Sequence, residues 1–150
     1  MIQMHRVGGN VDMLTRSLEQ LSLIINNMPA IRINQRMRME AGQLESVQSK
    51  MADEQSYIAL ICLPCGTNKE DLIYQTNMLN TRFIDYLESK QAAGICNVGN
   101  EQHPTPNCIV HMFPPCDFAT AFLMRNEPSL LDTMHQRRAK YLFVVITSAG

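Results

Sequence analysis

Two uninterrupted apolar runs limit what this chain can fold into more than any other feature. One is SYIALICL at residues 56–63, and the other is KYLFVVITS at residues 140–148, which is rich in β-branched and aromatic side chains. Runs of this length and composition are typical of buried strands, and both are far too short to span a bilayer. The sequence therefore predicts a sheet inside a globular domain and no membrane segment.

Periodic segments surround these two strands. They predict helices at 10–19, at about 40–53, at 69–93 and, in shorter form, from Asp117 and from about Pro128, with further strands at 30–39 and 108–113. In the longest helix the predicted buried stripe is Leu72, Thr76, Leu79, Phe83 and Leu87, with Gly94 at the expected stop. Residues 95–106 are predicted to be largely loop. The chain, 1–150, is thus predicted to form one α+β domain, and periodicity does not decide whether its sheet is open or closed.

The charge balance argues against partners that are held by bulk charge. The chain has 13 basic and 14 acidic residues, so its net charge is −1 and general attraction to nucleic acid or anionic membrane is not expected. An odd number of cysteines, five, and an N-terminus without an apolar signal region favour an intracellular, reducing compartment. Any anion binding must come from local clustering of cations.

The residues that could carry catalysis or metal binding do not form a complete site. Cys62 and Cys65 have the spacing of half a zinc site, but Cys96, Cys108 and His111 do not supply a second close pair. The same Cys62–Cys65 pair follows a strand, so a redox role is weakly indicated. There is no G-x-S-x-G string and no phosphate-binding glycine loop. We therefore expect no enzymatic activity, no cofactor and no metal.

A cluster of cations is the strongest candidate for a site. If residues 30–39 form a strand, Arg32, Arg36 and Arg38 lie on one face, whereas in a helix Arg38 would point away. We favour the strand. On the long helix Arg82, Tyr86 and Lys90 repeat at i, i+4 and i+8 and share a face. Arginine gives bidentate hydrogen bonds to carboxylate or phosphate. Spacing alone leaves an ordinary solvated polar face at least equally acceptable.

Four strings in order resemble one known family. They are RINQRMRM (32–39), IALICLPCG (58–66), YLESKQAAGI (86–95) and FPPCDF (113–118), and a closing apolar strand follows them. Together they resemble the SPOC domain, the C-terminal module of Split ends-type transcriptional regulators, over nearly the whole chain. The resemblance implies a distorted β-barrel of about seven strands framed by α-helices.

The resemblance also implies a function. It suggests a monomeric, non-enzymatic nuclear domain that recruits repression machinery by binding acidic, serine-phosphorylated motifs of SMRT- and NCoR-type corepressors, or phosphoserine repeats of the RNA polymerase II tail. The family's basic patch matches the positions of Arg32, Arg36, Arg38, Tyr86 and Lys90. RNA binding through the same patch is the alternative, which the near-neutral charge and the lack of exposed-aromatic motifs disfavour.

The chain departs from the family pattern in three respects. It has no Trp, whereas the family begins with a strand that contains a Trp-x-Gly pattern, and it starts at what resembles the next strand. Either the sequence is truncated or the barrel lacks its first strand. One lysine of the family patch is absent, and Arg82 is added to the site on helical spacing alone.

Overall fold

The fold is a six-stranded antiparallel sheet with helices on both faces. The computed structural model describes residues 2–10, 35–98 and 108–148. The strands are β1 (Ile2–Gly9), β2 (Gln35–Arg38), β3 (Tyr57–Pro64), β4 (Ala92–Val98), β5 (Cys108–Phe113) and β6 (Leu142–Ser148). Their order in the sheet is β1-β3-β6-β5-β4-β2, so the two apolar runs found in the sequence become neighbouring central strands.

Five α-helices and one π-helical turn accompany this sheet in the described residues. They are α1 (Ala41–Met51), α2 (Lys69–Leu79), the π turn (Asn80–Ile84), α3 (Asp85–Lys90), α4 (Asp117–Asn126) and α5 (Pro128–Gln136). Asn68 caps α2, because its side-chain oxygen accepts the backbone N–H of Asp71 at 2.8 Å. Pro128 stands in the first turn of α5, where its missing N–H costs nothing. The predicted α+β class is confirmed.

Side chains at alternate positions of the central strands pack in two separate hydrophobic cores. Ala59 and Ile61 of β3 face one core with Phe113 and Phe143, against which α4 and α5 pack. The neighbouring side chains Ile58, Leu60 and Cys62 face the second core, under the long helical segment. Burial on both faces explains why these strands are apolar without alternation.

The π turn corrects the predicted face of the long helix. The Asp85 N–H donates to the Asn80 carbonyl, five residues back, so one extra residue enters the turn. The buried positions therefore run from Leu79 to Ile84, which is 0% exposed, and then to Leu87. Leu72, which was predicted to be buried, is 42% exposed.

Two strand assignments from the sequence also need correction. Residues 2–9 form β1, paired with β3, where periodicity gave no strand, although the resemblance implied one at the start of the chain. Residues 92–98, predicted as the end of a helix and a loop, form β4. The small residues Ala92, Ala93 and Gly94 have weak strand preference, which the pairing of all three with β2, and of Gly94 also with β5, overrides.

The sequence analysis placed the stop of the long helix at Gly94. The helix ends at Lys90, and Gln91 adopts the left-handed conformation, with φ 49° and ψ 47°. The predicted helix at 10–19 and the first half of the strand at 30–39 lie outside the described residues. No helix within the described ranges is long and apolar enough to cross a membrane.

Candidate functional site

The edge strand β2 presents two of the predicted arginines on one face. Arg36 and Arg38 are exposed, whereas Met37 between them is buried in the core with 7% exposure. This is the alternation that the strand interpretation predicted. In the antiparallel register, Arg36 lies opposite Gly94 and Arg38 lies opposite Ala92 of β4. These partner positions carry little or no side chain.

The connection between α3 and β4 brings Tyr86 and Lys90 to the same place. Helix α3 ends at Lys90, and β4 begins two residues later at Ala92, which is paired with Arg38. The left-handed Gln91 makes this abrupt reversal, and its carbonyl accepts the Met39 N–H at 3.3 Å. Lys90 is therefore tied to the end of β2 by backbone hydrogen bonding.

Arg36 and Tyr86 are in direct contact. The guanidinium carbon of Arg36 lies 5.9 Å from the centroid of the Tyr86 ring, within the range of a cation–π interaction. Tyr86 remains 39% exposed, so its ring supports Arg36 without covering it. The contact limits the rotamers of Arg36 and leaves guanidinium N–H groups available to an anion.

Arg38 and Lys90 line one cleft of about 570 Å³. The lining also includes the acidic Glu40 and Asp117 and three apolar side chains: Met39, Leu44 and Phe118. The cleft thus has cations at one side and an apolar floor. The sequence analysis did not identify this floor, although Phe118 belongs to the FPPCDF string that carried the family resemblance.

Of the acidic side chains near the cluster, Asp117 lines the cleft itself, whereas three others are weakly placed or paired elsewhere. Glu40 lies 3.8 Å from Arg38, but both side chains are largely exposed, and such a pair contributes little. Asp85 and Glu88 on α3 are engaged by Lys140, at 3.0 Å and 3.9 Å. The hydrogen bond from Lys140 to Asp85 raises the pKa of that lysine. We name Arg36, Arg38, Tyr86 and Lys90 the basic cluster.

Two predicted site residues fall outside the basic cluster as the structure describes it. Arg82 is exposed, but it lies inside the π turn, which breaks its i, i+4 alignment with Tyr86. It joins neither the stacking contact nor the cleft. Arg32 lies outside the described residues.

Three cysteines within the described residues, Cys62, Cys96 and Cys108, are buried in the second core. Burial raises the pKa of the Cys62 thiol to about 12, so the reactive thiolate is scarce at neutral pH. Within residues 2–10, 35–98 and 108–148 no group of three or more His, Cys, Asp and Glu side chains could hold a metal ion. Burial also lowers the pKa of His111, whose ring stacks beside that of Phe113.

Comparison with the sequences and structures of known proteins identifies the family of this chain. The model of the SPOC domain family matches residues 1–149. The chain is 42% identical over 147 residues to the mouse Msx2-interacting protein and 41% identical over 150 residues to the Drosophila protein split ends, with 98% of the chain covered in each case. The crystal structure of the SPOC domain of human PHD-finger protein 3 superposes with a TM-score of 0.51 at 14% identity, covering 98% of this chain and 86% of that one.

This chain belongs to the SPOC domain family. It is an interaction domain of the kind found in Split ends-type transcription regulators, and such a fold fits a non-enzymatic role. The chain spans only about 3–4% of the length of these two relatives. The functions of those long proteins do not pass to this chain by similarity alone.

Proposed function

We propose that this domain binds acidic or serine-phosphorylated peptides of the SMRT and NCoR corepressor type through the basic cluster, in the nucleus and without catalysis. The observation that carries the proposal is the stacking of Arg36 on Tyr86 beside a cleft that Arg38 and Lys90 line together. Arg32, which the family resemblance adds to the site, completes the proposed set of cations.

The chemistry of the basic cluster suits a phosphate group. A phosphoserine carries about −1.5 to −2 charges and three acceptor oxygens. Two arginines offer forked N–H donors, while Lys90 and the Tyr86 hydroxyl offer further donors. Each hydrogen bond to a charged group contributes about 1.5–3 kcal/mol, and ordering costs offset part of the sum. Two or three such bonds correspond to micromolar affinity, about −8 kcal/mol.

The first test compares phosphorylated and unphosphorylated forms of one corepressor peptide by calorimetric titration. We expect the phosphorylated peptide to bind at least about tenfold more tightly, which corresponds to 1.4 kcal/mol. Equal affinities would refute phosphate recognition. A peptide from the RNA polymerase II tail, with its phosphoserine repeats, and a short single-stranded RNA serve as the two rival ligands in the same titration.

The second test reverses charge in the cluster. Arg36→Glu and Arg38→Glu should each abolish binding and leave the melting temperature near that of the wild type, because both side chains are exposed. Lys69→Glu is the matched control: it makes a similar charge change at an exposed position on α2, outside the cluster. Equal loss of binding in Lys69→Glu would mean that only net charge matters. Unfolding of the arginine variants would mean that these side chains are structural.

A further inference from the structure

A second cleft adjoins the one beside the basic cluster. It has a volume of about 510 Å³ and lies between α1 and α4. Phe118 lines both clefts, so they meet at its side chain. On α1 the lining passes from Leu44 in the first cleft to Gln48 and Met51 in the second, successive positions on one helix face. The two clefts are parts of one groove, which we name the α1–α4 groove.

The groove exists because α1 packs loosely on the sheet. Val47 is the one residue of α1 that is buried, while Leu44 and Met51 are half-buried at its edge. On α4, Phe122 and Leu123 are buried in the core, and the groove wall is made by Phe118, exposed Ala121 and Arg125. The small side chain of Ala121 leaves space in this wall of the groove.

Cationic side chains line both ends of this groove. Arg38 and Lys90 line the end beside β2, and Arg125 lines the end beside Tyr57. Within the described residues no acidic side chain lies within ion-pair distance of Arg125. Between these cations the half-buried apolar side chains of Leu44, Phe118 and Met51 line the groove, and the acids Glu40 and Asp117 lie at the end beside β2. An occupant with anionic groups at both ends and apolar side chains between them would match this distribution.

We infer that the α1–α4 groove binds the continuation of the peptide that the basic cluster captures: one or two apolar side chains, then a second acidic group at Arg125. This inference rests on the proposed function and adds the class of motif to it. From Phe118 to Arg125 the helix rises by roughly 10 Å, and an extended peptide advances about 3.3 Å per residue. About three residues span this wall of the groove, and because the phosphoserine would lie beyond Phe118 at the basic cluster, the second acid should stand about four or more residues from it.

The experiment uses four synthetic phosphoserine peptides. Two of them carry leucine at the first and second positions from the phosphoserine and glutamate at the fourth; one peptide extends toward the C-terminus and the other toward the N-terminus. The remaining two are the same peptides with serine in place of the leucines and the glutamate. We expect the leucine–glutamate peptide in one direction to bind at least about tenfold more tightly than its serine counterpart. Equal affinities within both pairs would overturn the inference and leave the proposed function intact.

Variants of the protein locate the effect. Ala121→Gln should remove most of the gain from the leucines, whereas Met124→Gln, an exposed position three residues further on α4 and outside the groove lining, should change affinity less than about twofold. Arg125→Gln should remove the gain from the glutamate, and exposed Arg137→Gln is its matched control. All four variants should bind the serine-flanked phosphopeptide as the wild type does.

The failures of the two proposals are distinguishable. If none of the four peptides binds the wild type, the proposed function falls and the groove inference falls with it. If the peptides bind but the control variants lose as much affinity as the groove variants, the apolar residues act elsewhere and only the groove inference is wrong.

Discussion

Replacement of Tyr86 separates two roles that the structure gives to one side chain. Its ring supports the Arg36 guanidinium at 5.9 Å, and its exposed hydroxyl is available as a donor to a phosphate. Tyr86→Phe removes the hydroxyl and keeps the ring. Tyr86→Leu removes both and leaves a smaller apolar side chain with a good helix preference, so α3 itself should be preserved.

The expected magnitudes follow from these two contacts. A hydrogen bond to a charged group is worth about 1.5–3 kcal/mol, so Tyr86→Phe should weaken phosphopeptide binding by roughly 10- to 150-fold. A cation–π contact at an exposed site is worth about 0.5–1 kcal/mol. Tyr86→Leu should therefore cost a further factor of about two to five, because Arg36 then loses its support and must be ordered by the peptide.

Calorimetric titration with one phosphoserine peptide measures both steps, and thermal unfolding of each variant checks the fold. Tyr74→Leu is the control, since Tyr74 is an exposed tyrosine on α2 that belongs to neither the cluster nor its cleft. In a double-mutant cycle with Arg36→Leu, the Tyr86→Leu change should be non-additive by about 0.5–1 kcal/mol. Equal affinities of Tyr86→Phe and Tyr86→Leu, with additive effects in the cycle, would refute the supporting role of the ring.

Three further predictions concern stability, each measured by urea unfolding. Burial lowers the pKa of His111 below 6.5 in the folded protein, so the unfolded chain takes up this proton first and the stability of the wild type falls as the pH drops below about 6.5. His111→Leu removes this group and should therefore reduce the loss of stability on acidification. The hydrogen bond to Asp85 raises the pKa of Lys140, and this stabilisation disappears once the amine is neutral. Lys140→Met should therefore lower the free energy of unfolding by about 0.2–1 kcal/mol at pH 7 and leave it unchanged well above pH 10.5. Phe113→Ala should cost about 3–5 kcal/mol, because this fully buried ring packs against Phe118 and Phe143, and an unchanged midpoint would contradict that packing.

The elements that the sequence predicted best are those in which local preference and tertiary environment agree. The runs at 56–63 and 140–148 are apolar throughout and became central strands, and Pro128 starts α5 as expected. Strand β4 is the opposite case. Its first residues, Ala92, Ala93 and Gly94, have no strand preference of their own, and it is their pairing with β2 that makes them a strand. Pairing between distant segments is not visible in a local pattern.

The candidate site was predictable only where a local pattern of side chains determines it. The alternation Arg36–Met37–Arg38 fixed which side chains share a face, and the structure retains it. The relation of Arg82 to Tyr86 could not be predicted, because the helical period assumes 3.6 residues per turn and the π turn adds one residue between regular segments. The apolar floor of the cleft could not be predicted either, since Leu44 and Phe118 come from two helices that the sequence does not place together.

The separation of charge on α3 explains how a chain of net charge −1 can present an anion site. Asp85 and Glu88 stand three residues apart and face Lys140, whereas Tyr86 and Lys90 stand four apart and face β2. One short helix thus directs its acids to one side and its cation to the other. Because Lys140 holds the acids away from the basic cluster, Lys140→Met should also weaken phosphopeptide binding, although Lys140 itself lies outside the cleft. Salt would reduce this indirect effect more than the direct contacts of Arg36, since screening acts mainly on exposed charges at a distance.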